Sequence, residues 1–77
     1  MKLSEVLEKL TGRFELTVFT GGEAACEDAG ISRDEEQVDW GKVINDYDRL
    51  KDAEVIGMHL SSDRNYDGAA IWVTVKG

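Results

Sequence analysis

The apolar residues at the start of the chain recur with the period of an α-helix. Four of them stand at positions i, i+3, i+4 and i+7, namely Leu3, Val6, Leu7 and Leu10. This spacing predicts a short amphipathic helix over residues 4–11, in which Ser4 accepts a hydrogen bond from a backbone N–H of the first turn. Gly12 is placed to adopt the left-handed conformation that ends a helix.

The next apolar residues alternate with polar ones, as they do in a β-strand that has one buried face. Residues 13–20, RFELTVFT, therefore predict a strand. Gly21 and Gly22 follow directly, and a glycine pair at this point favours a two-residue hairpin turn. Residues 23–31 are then predicted to form the second strand of the hairpin, although their alanines and glutamates leave a helix as the alternative.

Helical spacing returns in the middle of the chain. It is formed by Val43, Ile44, Tyr47 and Leu50. These residues would line one face of a helix predicted over residues 40–51, and Asp39 is placed to cap the start of that helix.

The end of the chain predicts a β-hairpin, with strands over residues 54–61 and 69–76. Each strand has an apolar face that is expected to pack on the helices. These faces consist of Ile56, Met58 and Leu60 and of Ile71, Val73 and Val75. The whole order of elements predicts one small α+β domain over residues 1–77. Its expected architecture is an antiparallel sheet of three or four strands with two helices packed mainly on one face.

The second face of the predicted sheet has large aromatic side chains. By alternation, Phe19, His59 and Trp72 point away from the helices, where solvent is expected. One explanation is that residues 23–38 fold across this face and bury it, because large exposed apolar patches are unusual on monomers. The other is that these residues form a partner or homodimer interface, because aromatic residues dominate binding hot spots.

Acidic residues concentrate in the middle of the sequence. The net charge is −7, and residues 23–54 hold eleven acidic and four basic residues, which accounts for the whole excess. This charge argues against direct binding of nucleic acid, whose phosphates favour lysine and arginine. It either serves solubility alone or forms a binding surface for a protein partner with a basic groove. Six acids and one apolar anchor, Trp40, are candidates for such a surface: Asp34, Glu35, Glu36, Asp39, Trp40, Asp46 and Asp48.

One short segment has the form of the start of a calcium-binding loop. Asp63, Asn65 and Asp67 stand on alternate residues and are followed by Gly68, as in the first half of an EF-hand loop. The twelfth position of such a loop requires a bidentate glutamate, but here it is Thr74. The three residues are therefore at most weak metal ligands. The prediction is a turn, since Asp and Asn tolerate its unusual dihedral angles.

Little in the sequence indicates catalysis. Cys26 is the one cysteine and His59 the one histidine, so they form the one conceivable pair of nucleophile and base. The acids beside Cys26 are expected to raise the pKa of its thiol, which disfavours the reactive thiolate. We therefore predict a protein that is not an enzyme and needs no cofactor. No stretch has the length and apolarity of a membrane span or the form of a signal peptide, so we expect a soluble, cytoplasmic protein.

The segments KLSEVLEKL, DAEVIGMHLSSD and AAIWVTVK give the chain a resemblance to small proteins encoded by bacterial prophages and mobile elements. The shared features are a short opening helix and a closing strand pair after an Asp-rich segment. The resemblance implies an inhibitor of host defence, as in anti-CRISPR proteins, many of which are small acidic domains that block nucleic-acid binding by the effector. From it we expect a phage-type inhibitor whose acidic surface occupies a nucleic-acid-binding site on a host complex. The alternative is a small structural module that homodimerises through the aromatic face. A third alternative is a weak calcium-binding hairpin that uses Asp63, Asn65 and Asp67.

Overall fold

The computed structural model describes residues 1–32, 37–62 and 69–76. Its elements, in chain order, are α1 (Leu3–Lys9), β1 (Arg13–Thr20), β2 (Glu23–Ser32), α2 (Trp40–Val43), α3 (Tyr47–Leu50), β3 (Val55–Ser62) and β4 (Ala69–Val75). The predicted small α+β fold is confirmed.

The hairpin predicted from the glycine pair is also confirmed. Gly21 and Gly22 have φ angles of 58° and 93°, which a two-residue turn between twisted strands requires. Residues 23–31 accordingly belong to a strand and not to a helix. Gly12 is in the left-handed conformation, with φ of 82°, but it does not end the helix as predicted, because α1 ends at Lys9 and its C-cap residue Leu10 is extended.

The start of α1 lies one residue earlier than the sequence predicts. Lys2, and not Ser4, is its N-cap residue, and the Glu5 carboxylate accepts a hydrogen bond from the Lys2 backbone N–H over 3.2 Å. A long-range bond fixes this start, because the Leu3 N–H donates to the Ala53 carbonyl over 3.1 Å. The bond ties α1 to the segment that leads into β3.

The four strands form one mixed sheet in the order β2-β1-β4-β3. The two hairpins pair antiparallel, β1 with β2 and β3 with β4. The central strands β1 and β4 run parallel, where the sequence predicts a purely antiparallel sheet. The reason is that β2 and β3 run in the same direction at opposite edges, so the chain between them must cross one face of the sheet. Alternation of side chains does not reveal the direction of a strand.

The sequence predicts one helix over residues 40–51, but the structure has two separate turns, α2 and α3. Asp46, with φ of 59°, is in the left-handed conformation and interrupts the helix. The interruption lets the Asn45 N–H donate to a backbone carbonyl of β2 over 3.1 Å. Ile44 and Leu50 are both buried, at 0 % and 1 % exposure. The break therefore lets Ile44, which precedes it, and Leu50, which follows it, both pack into the core.

The core lies between the helices and one face of the sheet. Its largest fully buried side chains are Phe14, Leu3, Leu7, Leu16, Ile44, Leu50, Val18, Val73 and Val75. Within β1 the buried residues alternate with less buried ones, as the sequence predicts. All three helices contribute to this one cluster, so none of the described elements covers the opposite face of the sheet.

β3 is the exception to the predicted packing. Met58 pairs with Val73 and Leu60 with Ile71, and paired residues point to the same face, so both lie on the helix-bearing side. They are nevertheless 48 % and 62 % exposed, and Ile56, at a shift in register, is 62 % exposed. The expectation that this apolar row packs on the helices was wrong. β3 is an edge strand, and the short helices cover only the strands inside it.

Substitution of one buried and one exposed isoleucine tests whether the core excludes the apolar row of β3. Ile44→Ala removes a fully buried side chain and should lower the free energy of unfolding by about 2–5 kcal/mol. Ile56→Ala removes the same atoms from an exposed site, so it should cost less than about 1 kcal/mol. Urea denaturation followed by circular dichroism measures both. Equal losses would mean that Ile56 is buried in solution.

Candidate protein-binding face

The open face of the sheet is built by the register of its strands. Thr17 of β1 stands beside Trp72 of β4, and His59 of β3 stands on the other side of Trp72. Because residues paired across strands point to the same face, these side chains form a row. Trp72, at the centre of the row, keeps 48 % of its surface exposed.

The structure brings together the three aromatic-face residues predicted from the sequence. The rings of Phe19 and Trp72 meet edge to face, with their centroids 6.5 Å apart. The His59 ring lies tilted against Trp72 at 5.2 Å. Residues 23–32 of the segment predicted as a cover for this face form β2 at the edge of the same sheet, and Val38 of that segment packs against the core. They leave Trp72 open to solvent.

An open groove of about 480 Å³ lies beside Trp72 on this face. It is lined by Glu15, Thr17, Glu27, Asp28 and Trp72. Three of these residues are acidic, and the described lining contains no basic side chain. The ion pairs between described residues all involve carboxylates elsewhere on the molecule. The groove therefore combines an exposed indole with concentrated negative charge.

The acidic lining depends on an irregularity in the first hairpin. Thr17 pairs with Glu27, and Leu16 pairs with Asp28. Leu16 is buried on the helix-bearing face, yet Asp28 lines the groove next to Glu27. A register shift follows Asp28, and such bulges re-aim side chains. The Asp28 carboxylate accepts a hydrogen bond from the Gly30 N–H over 3.0 Å, which holds it at the bulge.

Three acids of the groove are not among the site residues predicted from the sequence: Glu15, Glu27 and Asp28. Alternation along β1 places Glu15 on the same face as Phe19, so this residue could have been found. Glu27 and Asp28 depend on the register of β2, which is set by two shifts in the pairing with β1. No pattern in the sequence predicts those shifts, so it could not have placed Glu27 and Asp28 at the groove.

The acidic surface predicted in the middle of the chain is partly described. Three of its residues lie outside the described ranges: Asp34, Glu35 and Glu36. Asp39 is exposed and caps α2 as predicted, since its carboxylate accepts a hydrogen bond from the Gly41 N–H over 3.1 Å. Trp40, the predicted apolar anchor, is half-buried, and its ring stacks on that of Phe14 with centroids 6.4 Å apart. Part of its surface is therefore used in packing against the core.

The two remaining acids of that surface have basic neighbours. Asp46 pairs with Arg49 over 3.3 Å, and Asp48 pairs with Lys51 over 3.9 Å. All four side chains are largely exposed to solvent. The basic partners reduce the negative charge around α3, whereas the residues that the structure describes form no such pair around the groove.

The structure does not bring the thiol and the imidazole together. Cys26 is 6 % exposed, and its thiol donates to the Leu16 carbonyl over 3.7 Å. His59 lies on the other face of the sheet, on β3, at the edge opposite β2. Burial first, and then the negative charges of Asp28 and Glu27, raise the pKa of the Cys26 thiol to about 11. The thiol is therefore protonated at neutral pH.

The weak candidate metal ligands Asp63, Asn65 and Asp67 lie outside the described ranges. Thr74, at the twelfth position of the would-be loop, belongs to β4, where an EF-hand would continue as a helix. Among the residues that can be described, no group of His, Cys, Asp or Glu is arranged to hold a metal ion. Over the same ranges, no helix has the length and apolarity needed to cross a membrane.

Comparison with known proteins gives no relative. None of the family models, curated proteins or solved structures compared with the chain matches it. The resemblance to small prophage proteins therefore stays a prediction. The chemistry of the described surfaces is the basis for inferring a function.

The buried thiol gives a testable pH dependence of stability. The pKa of Cys26 in the folded protein, about 11, lies above its ordinary value of 9.0. The stability that depends on a neutral thiol is therefore fully present below the unfolded pKa and is lost as the pH rises toward the folded one. Relative to a Cys26→Ala variant, the wild-type advantage in free energy of unfolding should shrink between about pH 9 and pH 11. Urea titrations across that range measure it, and a constant advantage would contradict a protected thiol.

Proposed function

We propose that the chain is a non-enzymatic protein-binding domain that takes a basic segment of a partner protein across the open face of its sheet. The observation that carries this proposal is Trp72, which is 48 % exposed beside a groove lined by three carboxylates. Exposed tryptophans anchor many protein interfaces. Carboxylates beside such an anchor favour a partner of opposite charge and speed its association.

Lysine and arginine side chains match the chemistry of the groove in two ways. Their charged ends are attracted to the three carboxylates and to the face of an indole ring. Their aliphatic stems can pack along Trp72 and Phe19, whose rings lie 6.5 Å apart. A single cation–π contact at an exposed site contributes only about 0.5–1 kcal/mol. A specific complex therefore requires several basic residues in one segment.

The same charges argue against self-association through this face, the homodimer alternative based on Phe19, His59 and Trp72. Two copies packed face to face would each bring three groove carboxylates into the interface. Like charges brought together across an interface are unfavourable and select against that partner. Each copy also has a net charge of −7. A basic partner is therefore favoured over a second copy at this face.

A second candidate function is the phage-type inhibitor, whose acidic middle segment would occupy a nucleic-acid-binding site on a host complex. The exposed carboxylates of Asp39, Asp46 and Asp48 favour it. The ion pairs of Asp46 with Arg49 and of Asp48 with Lys51 count against it, because they weaken the local negative field. Both candidates require a basic protein partner, and they differ in the surface that meets it.

A titration with a basic peptide distinguishes the two surfaces. Octa-arginine added to isotope-labelled protein at low salt should shift the NMR signals of Thr17, Glu27 and the Trp72 indole more than those of Asp46 and Asp48. The shifts should weaken as salt is raised to about 0.15 M, because screening shortens the reach of exposed charges. Octa-glutamate is the control and should leave the spectrum unchanged. Larger shifts at Asp46 and Asp48 would favour the second candidate, and shifts at neither surface would overturn both.

Paired neutral substitutions separate a local effect from one of net charge. Glu27→Gln with Asp28→Asn should weaken octa-arginine binding roughly three- to tenfold, since each exposed charge pair contributes up to about 1 kcal/mol. Asp46→Asn with Asp48→Asn removes the same total charge from the other surface and should change the affinity little. Fluorescence or calorimetric titration measures both. An equal loss in the two variants would show that only net charge matters.

A further inference from the structure

The two edges of the sheet differ in how they are protected from pairing with another chain. Among the described strands, β2 and β3 form the edges. β2 has the charges of Glu23, Glu27 and Asp28 along its length and two shifts in register. Charges and bulges of this kind discourage further strand addition. β3, with the sequence VIGMHLSS, has no acidic or basic residue other than its one histidine. It therefore lacks the protection that charged side chains give to β2.

The start of the chain occupies part of the outer edge of β3. The Val55 N–H donates to the Met1 carbonyl over 2.8 Å, and Lys2 forms an isolated antiparallel bridge with Glu54. Beyond this point, no strand other than β4 pairs with β3 within the described ranges. Among the described residues, none other than those of β4 pairs with residues 56–62, which leaves the outer side of this backbone available.

We propose that this stretch of β3 pairs antiparallel with β3 of a second copy of the chain. The midpoint of residues 56–62 is His59, so a two-fold axis there places Met58 of each copy beside Leu60 of the other. The pairing would cover the apolar row of the edge strand, in which Ile56, Met58 and Leu60 keep 62 %, 48 % and 62 % of their surface exposed. Two four-stranded sheets would then form one continuous sheet of eight strands.

The lack of charge on β3 favours a second copy as the occupant. Each copy has a net charge of −7, so two copies repel each other wherever their acidic surfaces meet. On β3 they can approach without opposing carboxylates. A two-fold pairing also makes the apolar row self-complementary, as an isologous interface requires. A basic partner would instead be attracted to the groove beside β2, so this inference does not depend on the proposed function.

Sedimentation velocity over a concentration series tests the pairing. The wild-type chain should pass from monomer to dimer between about 10 µM and 1 mM, the range expected of a small interface. Met58→Lys puts a charge into the middle of the apolar row and should raise the dissociation constant at least about tenfold. Ala24→Lys adds the same charge to an exposed position on β2 and should not weaken the dimer. Circular dichroism confirms that both variants, which change exposed side chains, remain folded.

Hydrogen exchange gives an independent readout on the unmodified protein. Outward-facing backbone amides within residues 56–62 should gain protection as concentration rises, while those of β2 should not. A chain that is still monomeric at about 1 mM would overturn the proposal. So would a dimer that Trp72→Ala dissociates and Met58→Lys leaves intact, because that result would move the interface to the aromatic face.

Discussion

The parallel pairing of β1 with β4 is the interaction on which the rest of the structure depends. It extends through seven residue pairs, from Phe14 with Ala69 to Thr20 with Val75. An isolated two-stranded hairpin is marginal in water, and this pairing joins two hairpins into one sheet with a continuous apolar face. The helices pack on that face. On the other face, the same register sets Trp72 between the acidic residues of the first hairpin and the histidine of the second.

Charge divides the surface of this small domain into regions suited to different partners. The open face concentrates carboxylates around an exposed indole, whereas the β3 edge has an apolar row without acids. A two-fold pairing through β3 would leave the grooves of both copies on one side of the extended sheet. Two linked grooves bind a partner with two basic segments far more tightly than one groove does, because the second contact forms at high effective concentration.

Local patterns in the sequence predict where the helices and strands lie. The features that these patterns do not predict depend on contacts between residues far apart in the sequence. Alternation and a glycine pair specify the first hairpin. The break in the helix predicted over residues 40–51 follows from the bond between Asn45 and β2, which no local pattern contains. At the candidate site, an unshifted two-residue hairpin would place Cys26 opposite Thr17 on the open face. The shift places Glu27 there and buries Cys26, because moving a strand by one residue exchanges its two faces.

The central strand pair also joins residues roughly 55 positions apart in a chain of 77 residues. Each hairpin can close locally, but β1 and β4 can meet only after the long segment between the hairpins has been ordered across the sheet. That closure costs chain entropy before the contacts it permits can stabilise the fold. We therefore expect folding on the scale of milliseconds to seconds, slow for so small a domain, with preformed hairpins and a rate limited by their docking. Until they dock, the apolar faces of both hairpins are exposed, and this step is where the chain is most prone to aggregate.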